Sequence, residues 1–327
     1  MVAYILRRLA VMIPTLILIS IITFIIIQLP PGDYFTTLQQ LVAESGGGMD
    51  TTAFLRLEQV YGLDKPLHIQ YIRWVAGWFR LDFGYSLEWG APVWKVISHQ
   101  LNYTLFLGFL SIIFMMVTAI PIGIYSATHQ YSFGDHSLSA IGFIGLCIPG
   151  FLLALLWMFL GIVVFHFDVG NTGSMQFREA PWTLEKLWDA IYHLIPAVVI
   201  LGLSSTAQLQ RIMRGNLLDV LGMQHITTAR AKGLKESKVI NKYAVRVAIN
   251  PLISVLALEI PKIINQSSLV GIVMMLPTLG PVFLRSLLSQ DVYLSGTILL
   301  VTTVMLMGAN LLADIALAWV DPRITLT

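Results

Sequence analysis

Long uncharged stretches alternate with short polar segments along this chain. No Asp, Glu, Lys or Arg occurs in residues 9–32, 96–134 or 136–167. Each stretch exceeds the roughly 20 apolar residues that a helix needs to cross a membrane core of about 30 Å. The pattern predicts six transmembrane helices, at about 9–29, 101–127, 137–165, 190–210, 248–276 and 292–319.

The composition also indicates a membrane protein. Of the 327 residues, 56% are hydrophobic and only 12% are charged, whereas a soluble domain usually carries about 25% charged residues. The mean hydropathy is +0.77. The single cysteine, Cys147, excludes a disulfide framework within the chain. We therefore expect an all-α integral membrane protein.

Residues 31–100 differ from the rest of the chain. From 33 onwards they contain seven acidic and five basic residues, and their second half is rich in Trp, Phe and Tyr. Aromatic residues favour the membrane–water interface. We expect a small helical region on the outer surface of the membrane. It follows a first transmembrane helix within 1–30 and precedes a core of five spans within 101–327.

The loop after the fourth span concentrates positive charge. Eight of the twenty Lys and Arg residues lie in 211–246, where only two acidic residues oppose them. Because cytoplasmic loops are enriched in Lys and Arg, this loop is predicted to be cytoplasmic. Arg7 and Arg8 place the amino terminus on the same side. With six spans, the fourth span runs inward, so the amino terminus and the basic loop both lie in the cytoplasm. With five spans, these two assignments conflict. We therefore take six spans and expect both termini in the cytoplasm.

A helix, a glycine turn and a second helix are predicted inside this loop, over 224–251. Ala229, Ala231 and the threonines before them give the first helix a small-residue surface that another protein can approach closely. Gly233 then favours a turn, and residues 235–248 can form the second helix. On this pattern alone, a docking element and a simple positive-inside loop both remain open.

Polar residues inside the spans are candidates for a pathway, because charges in a membrane core are costly. Glu259 and Lys262 are neighbours on one helical face, where they either neutralise each other or face a polar substrate. Further polar residues are Gln208 in the fourth span and Asn265 and Gln266 in the fifth. For these, inter-helix hydrogen bonds and a hydrophilic lining are the two alternatives.

Motifs for catalysis or ATP binding do not occur in the sequence. It lacks Gly-Lys-Ser/Thr, His-Glu-x-x-His and Gly-x-Ser-x-Gly, and its histidines lack metal-ligand spacing. We expect this chain to have no enzymatic site, no metal and no cofactor of its own.

The residues around Gly233 carry a family resemblance. Residues 228–234 read Thr-Ala-Arg-Ala-Lys-Gly-Leu, with Arg246 and Pro251 further on. This stretch resembles the cytoplasmic signature of binding-protein-dependent ABC importer permeases, in the form used by the oligopeptide, dipeptide and nickel group. The general signature has Glu-Ala-Ala before the glycine, and only Ala229 and Gly233 match it.

Other stretches resemble the same group, and together they cover nearly the whole chain. They are Tyr61–Leu67, Gln70-Tyr71, Asp82–Ser86, Asp291–Tyr293 and Asp321–Arg323. One departure lies in the last external loop. There Leu276–Gly280 stands where the family often has Glu followed by Pro-Gly.

The resemblance implies the type I ABC importer permease fold, in the bacterial inner membrane. The implied partners are a second, similar permease, two ATPase subunits inside and a periplasmic or lipid-anchored substrate-binding protein outside. Membrane lipid surrounds the chain, nucleic acid is not expected, and ATP and Mg are bound by the ATPase subunits. The implied coupling residues are Thr227, Thr228, Ala229, Arg230, Ala231, Lys232, Gly233, Leu234 and Arg246.

Functions of other classes predict different features. A self-sufficient secondary transporter or channel predicts inverted repeats and a discontinuous helix pair, which the sequence does not reveal. A membrane enzyme requires a catalytic cluster at one interface.

Members of the resembled family carry peptides, oligosaccharides or nickel complexes. A di- or oligopeptide is the expected substrate, and selection resides largely in the external binding protein.

Overall fold

The described chain is built almost entirely from helices. The computed structural model describes residues 2–29, 64–165 and 183–320, with isolated positions at 32, 34–36, 38, 62, 177 and 181. The α-helices are α1 (Val2–Gln28), α2 (Leu67–Trp78), α3 (Val93–Thr128), α4 (Phe133–Cys147), α5 (Gly150–Phe159), α6 (Leu184–Leu221), α7 (Gln224–Ala231), α8 (Glu236–Lys238), α9 (Val245–Ala248), α10 (Asn250–Val273), α11 (Leu279–Leu288) and α12 (Val292–Val320). Two π-helical segments cover Leu160–Phe165 and Val239–Ala244, and two short strands are β1 (Tyr85–Ser86) and β2 (Ala91–Pro92).

Four helices in the described ranges are long and apolar enough to cross a membrane. Their apolar parts are Leu6–Gln28, Val93–Thr128, Leu184–Leu221 and Val292–Ile315. They coincide with the first, second, fourth and sixth predicted spans, and these four predictions are confirmed as long apolar helices. A helix satisfies its own backbone hydrogen bonds, as a segment inside a bilayer requires.

The third predicted span, 137–165, is not one straight helix. α4 ends at Cys147, α5 begins at Gly150, and the two are bent by 101°. Proline disfavours helical backbone in the residue before it. Ile148, which precedes Pro149, is accordingly extended, with φ −95° and ψ 124°. Counting the bent pair as one span gives five candidates in the described residues, whereas the sequence predicts six.

The fifth predicted span corresponds to α10, whose middle part is polar. It carries one acidic, one basic and two amide side chains between 259 and 266. Pro251 lies in its first turn, where a missing N–H costs no helical hydrogen bond. The predicted helix is present, and its passage through the membrane stays a prediction.

The stretch 277–291 lies between the fifth and sixth predicted spans, where the expected topology has its last external loop, but it contains the ten-residue helix α11. Gly280 and Pro281 are therefore not loop residues. Both lie in the first turn of α11, directly after Thr278. Proline is tolerated there because the first N–H groups of a helix make no intrahelical hydrogen bonds.

The chain forms two compact units. The described residues of the first fall within Met1–Tyr4, Thr104–Leu276 and Gly308–Thr327, and those of the second fall within Ile5–Tyr103 and Pro277–Met307. In the first unit α6 is the central helix, since it contacts α4, α5, α9 and α10. Two buried clusters lie along it, one around Leu194 and Leu201 and one around Leu209, Met213 and Leu217.

Glycines bring α3 close to α6 in the first unit. A Cβ atom at Gly202 would lie 2.5 Å from Phe114 Cδ1, and one at Gly123 would lie 2.7 Å from Met213 Cβ. Both distances are too short for non-bonded carbon atoms, so this helix spacing requires glycine at both positions. Small residues commonly allow such close backbone approach in membrane helix packing.

Asp291 anchors the β1–β2 hairpin in the second unit. The Ser86 hydroxyl donates to Asp291 Oδ2 at 2.6 Å, and the Glu88 N–H donates to the same oxygen at 3.2 Å. The other oxygen, Oδ1, accepts from the Leu294 N–H at 3.1 Å. Burial raises the pKa of this carboxyl above its usual range, although these hydrogen bonds oppose the shift. Asp291 thus joins the hairpin to the first turn of α12.

A second contact joins the hairpin to α11. Arg285 Nε donates to Glu88 Oε1 at 2.7 Å, and its guanidinium carbon lies 4.9 Å from the centroid of the Trp89 ring.

The sequence predicts a small helical region over 31–100. Its described residues include α2, the hairpin and the start of α3. The helical character is therefore present in α2, and the location of this region outside the membrane stays a prediction.

Candidate functional site

The segment after α6 folds back onto the end of that helix. α7 begins at Gln224, three residues after α6 ends at Leu221. Its inward face presents Ile226 and Ala229, whose exposed fractions are 0% and 4%. These side chains belong to a buried cluster with Leu217 and Val220 of α6, and with Val239, Ala244 and Ala248 from the following helical turns. Apolar packing therefore holds the segment against the membrane core of the first unit.

The outward face of α7 contains four of the nine residues implied in coupling. Thr227, Thr228, Arg230 and Ala231 are exposed, and the Thr228 hydroxyl donates to the Gln224 carbonyl at 2.9 Å. Ala229 does not join this surface, because it points into the core. The small-residue surface expected from the sequence thus consists of the two threonines and Ala231.

Gly233 forms the turn that the sequence predicts. Its φ of +74° is in the left-handed region, which glycine adopts without the steric cost that a Cβ atom brings. The Gly233 N–H donates to the Arg230 carbonyl at 2.9 Å, and the Lys232 N–H donates to the Thr228 carbonyl at 3.1 Å. The helix–glycine–helix prediction is confirmed, with α8 beginning at Glu236.

An ion pair bridges the glycine turn. Arg230 Nη2 lies 2.6 Å from Glu236 Oε1, and Arg230 Nε donates to both carboxylate oxygens at 3.2 Å. The hydrogen bond from Arg230 holds the pKa of Glu236 below its usual range, and the same bond raises the pKa of Arg230. Both side chains are exposed, so the pair contributes little to stability and mainly orients the two helices.

The second helix of the segment is interrupted, although the sequence predicted one helix over 235–248. α8 passes into the π-helical segment and then into α9, which ends at Ala248. Leu234 packs against the buried cluster. Arg246 is exposed on α9, and Lys232 is exposed at the turn.

Glu259 is buried against α6, whereas Lys262 is partly exposed. The Ser205 hydroxyl donates to Glu259 Oε2 at 2.5 Å, and Lys262 Nζ lies 3.3 Å from that same oxygen. The exposed fractions of the Glu259 and Lys262 side chains are 5% and 39%. The carboxylate therefore links α6 to α10, and its partner cation reaches the surface of the first unit.

The remaining pathway candidates lie along α6 and α10. Gln208 and Gln266 are half-buried, and Asn265 is exposed one turn beyond Lys262 on α10. Of the predicted pathway residues, the structure thus pairs Glu259 with Lys262.

A second buried ion pair was not anticipated from the sequence. Arg214 Nη2 lies 3.0 Å from Asp135 Oδ2, and the Asp135 side chain is only 4% exposed. The sequence does contain a signal for this pair, because Asp135 is the single charged residue in 96–167. Charged residues rarely occur in such surroundings without a partner.

Family comparisons identify the chain over nearly its whole length. Residues 119–326 match the family described as binding-protein-dependent transport system inner membrane component. Residues 1–108 match the amino-terminal family of the same transport systems. The chain belongs to this permease family. It is a multi-pass membrane subunit of a binding-protein-dependent ABC importer, as the resemblance around Gly233 implied.

Curated relatives align from end to end with this permease. The oligopeptide transport system permease protein AppB of Bacillus subtilis (strain 168) is 36% identical over 326 residues, which are 99% of both chains. The dipeptide transport system permease protein DppB of Escherichia coli (strain K12) is 31% identical over 346 aligned positions, again covering 99% of both chains.

A solved transporter shares the fold of this permease. A chain of the inward-facing MetNI methionine ABC transporter superposes with a TM-score of 0.52 at 19% identity. The match covers 69% of the permease and 97% of that chain. At this identity the likeness concerns the fold alone, and it agrees with the type I importer permease fold that the resemblance implied.

Replacing Gly233 by Ala is expected to destabilise the turn by about 1 kcal/mol, because φ is +74° there. Hydrogen exchange of the amides in 224–238 should become about fivefold faster, since local opening becomes easier. Gly222→Ala is the matched control. Gly222 has φ −82°, and a Cβ there would meet only the Asp219 carbonyl, at 3.5 Å. Equal exchange in the two variants would contradict the proposed role of the glycine.

Proposed function

We propose that this permease is one of two similar chains that form the pathway of an ATP-driven importer of di- or oligopeptides. The helix–glycine–helix segment carries the proposal, because it presents an exposed surface while being packed onto a long membrane helix. The peptide substrate is suggested by the oligopeptide and dipeptide systems in which AppB and DppB are named as permeases.

The proposed topology has six spans with both termini in the cytoplasm of a bacterial cell. The basic loop 211–246 supports this orientation, and α10 supplies the fifth span. Residues 31–100 would then lie in the periplasm, between the first span within 1–30 and the core within 101–327. A substrate-binding protein would dock on that side.

In the coupling step, the exposed face of α7 would sit in a groove of an ATPase subunit. Thr227, Thr228 and Ala231 are small enough for close approach, and Arg230, Lys232 and Arg246 would meet an acidic rim. Movement of the segment must also move the end of α6, since Ile226 and Ala229 are packed against that helix. ATP binding and hydrolysis would in this way alternate the access of the pathway. ATP and Mg would be bound by the ATPase subunits.

Ala231→Glu is expected to abolish association with the ATPase subunits, lowering their recovery in co-purification by about tenfold or more. The new carboxylate would have to lose its water in the groove without a partner. Ala231 is exposed, so the permease itself should still fold and insert. Ala229→Glu is a poorer test, because Ala229 is 4% exposed and the change would disrupt internal packing.

Gln130→Glu provides the control for added negative charge. Gln130 is exposed in the turn between α3 and α4, which the proposed topology also places in the cytoplasm. ATPase recovery should match that of the unmodified transporter. Normal recovery with Ala231→Glu would overturn the coupling assignment.

The pathway is proposed to run past the exposed side of α10, where Lys262, Asn265 and Gln266 are available to a polar substrate. Glu259 supports Lys262 from the buried side. The alternative is that the two charges only neutralise each other, and the 5% exposure of the Glu259 side chain is compatible with that role. A functional measurement separates the two.

Glu259→Gln should lower uptake by reconstituted transporter about tenfold while the subunits still assemble. Glutamine can still accept the Ser205 hydroxyl hydrogen bond, but the Lys262 charge loses its partner, and about 1.4 kcal/mol corresponds to a factor of ten. Glu185→Gln makes the same change at an exposed position of α6 and should leave uptake unchanged. If uptake by Glu259→Gln is also unchanged, the pair has no role in transport.

The substrate class is testable on the partner binding protein. Short peptides are expected to raise its thermal unfolding midpoint by several degrees, because a ligand that binds only the folded state stabilises it. Oligosaccharides and nickel complexes serve as comparisons. A shift with these and none with peptides would overturn the peptide assignment without affecting the coupling assignment.

A further inference from the structure

A cavity of about 260 Å³ lies beside α4 and α6 in the first unit. It is separate from the exposed face of α7 and from Lys262. The side chains that carry the argument are Arg211 and Arg214 of α6, Ser139 and Phe143 of α4, and Tyr131 from the preceding turn. The coupling and pathway assignments use none of these residues.

The cavity has more positive charge than its carboxylate can neutralise. Arg214 pairs with Asp135 at 3.0 Å, so that one positive charge is compensated. Arg211 makes no ion pair with a described carboxylate, and its guanidinium carbon lies 5.0 Å from the centroid of the Phe143 ring. Arg214 Nε is buried and has no hydrogen-bond partner in the part of the chain that the structure describes. The guanidinium groups of these arginines can therefore bind an anion by donating hydrogen bonds to it.

The surroundings of the cavity favour a lipid as the source of that anion. Tyr131 and Phe133 are 77% and 88% exposed at the start of α4, and aromatic side chains concentrate at the membrane–water interface. Further along α4, the apolar side chains of Phe143 and Leu146 are 49% and 43% exposed, and their spacing of three residues places both on the helix face that lines the cavity. An anion in the cavity would thus have an apolar surface next to it, on which acyl chains can lie.

We propose that this cavity binds the phosphate headgroup of an anionic phospholipid, with Arg211 and Arg214 as its ligands. Basic pockets between membrane helices commonly hold such headgroups on the cytoplasmic side. That side follows from the proposed topology, whereas the chemistry of the cavity does not depend on it. Arg214 precedes the start of α7 by ten residues, so the lipid would lie near the coupling segment.

The test uses the assembled transporter, delipidated and then titrated with phosphatidylglycerol or phosphatidylcholine in native mass spectrometry. Phosphatidylglycerol should bind the unmodified transporter more tightly, because the choline cation opposes the arginines. Arg211→Gln should weaken phosphatidylglycerol binding about tenfold, because it removes a charge-assisted hydrogen bond to the phosphate. Arg211→Gln breaks no ion pair among the residues that the structure describes, so the transporter should still assemble.

Two further variants separate a shaped cavity from general electrostatic attraction. Ser139→Leu fills the cavity without changing its charge and should also weaken phosphatidylglycerol binding about tenfold, by blocking the headgroup. Arg7→Gln removes an exposed charge near the start of α1 and should leave the affinity unchanged. If Arg7→Gln weakens binding as much as Arg211→Gln does, the attraction is diffuse and the proposal is overturned.

Other ligands for the cavity give distinct results. If inorganic phosphate displaces phosphatidylglycerol at millimolar concentration, the cavity takes a soluble anion and the lipid assignment is wrong. If the second permease covers the cavity, the assembled transporter will show the same phosphatidylglycerol affinity with and without Arg211→Gln, which also overturns the proposal. A tenfold loss confined to Arg211→Gln and Ser139→Leu supports it.

Discussion

The packing of Ile226 and Ala229 against the end of α6 is the contact on which the arrangement of the helix–glycine–helix segment depends. Because these two side chains point inward, the threonines, Ala231 and the basic residues must point outward. The same contact connects the segment to α6. An exposed surface and a packed connection to α6 are therefore two consequences of one apolar stripe, whose two residues are three positions apart on a short helix.

α6 connects this stripe to the polar residues deeper in the first unit. Leu217 and Val220 contact the segment, and Ser205 donates to Glu259 of α10. Roughly 12–15 residues separate these positions, or about 20 Å at 1.5 Å per residue. α3 approaches this helix closely at Gly202 and Gly123. In the proposed coupling, a displacement at the segment would reach the proposed pathway through one continuous helix.

The hydrophobic pattern predicted helices correctly where one physical requirement decided the backbone structure. Uncharged stretches of sufficient length became helices because a helix satisfies its backbone hydrogen bonds within one segment, as a bilayer requires. The effect of a proline on a helix depends on its position, which the hydrophobic pattern alone does not give. Pro149 separates two helices that are bent by 101°, whereas Pro281 is accommodated in the first turn of α11. Gly233 was interpreted correctly, because a positive φ is a local property of glycine.

The sequence by itself determined the membrane class, four long apolar helices, the glycine turn and the family, since hydrophobicity, backbone preference and a contiguous motif are all local. Only the tertiary structure decided that Ala229 is buried while Ala231 is exposed, that Glu259 lies against Ser205, and that Asp135 pairs with Arg214. These outcomes depend on which side chains a distant helix presents. Asp135 and Arg214 are 79 positions apart in the sequence, and only the packing of their helices brings them together.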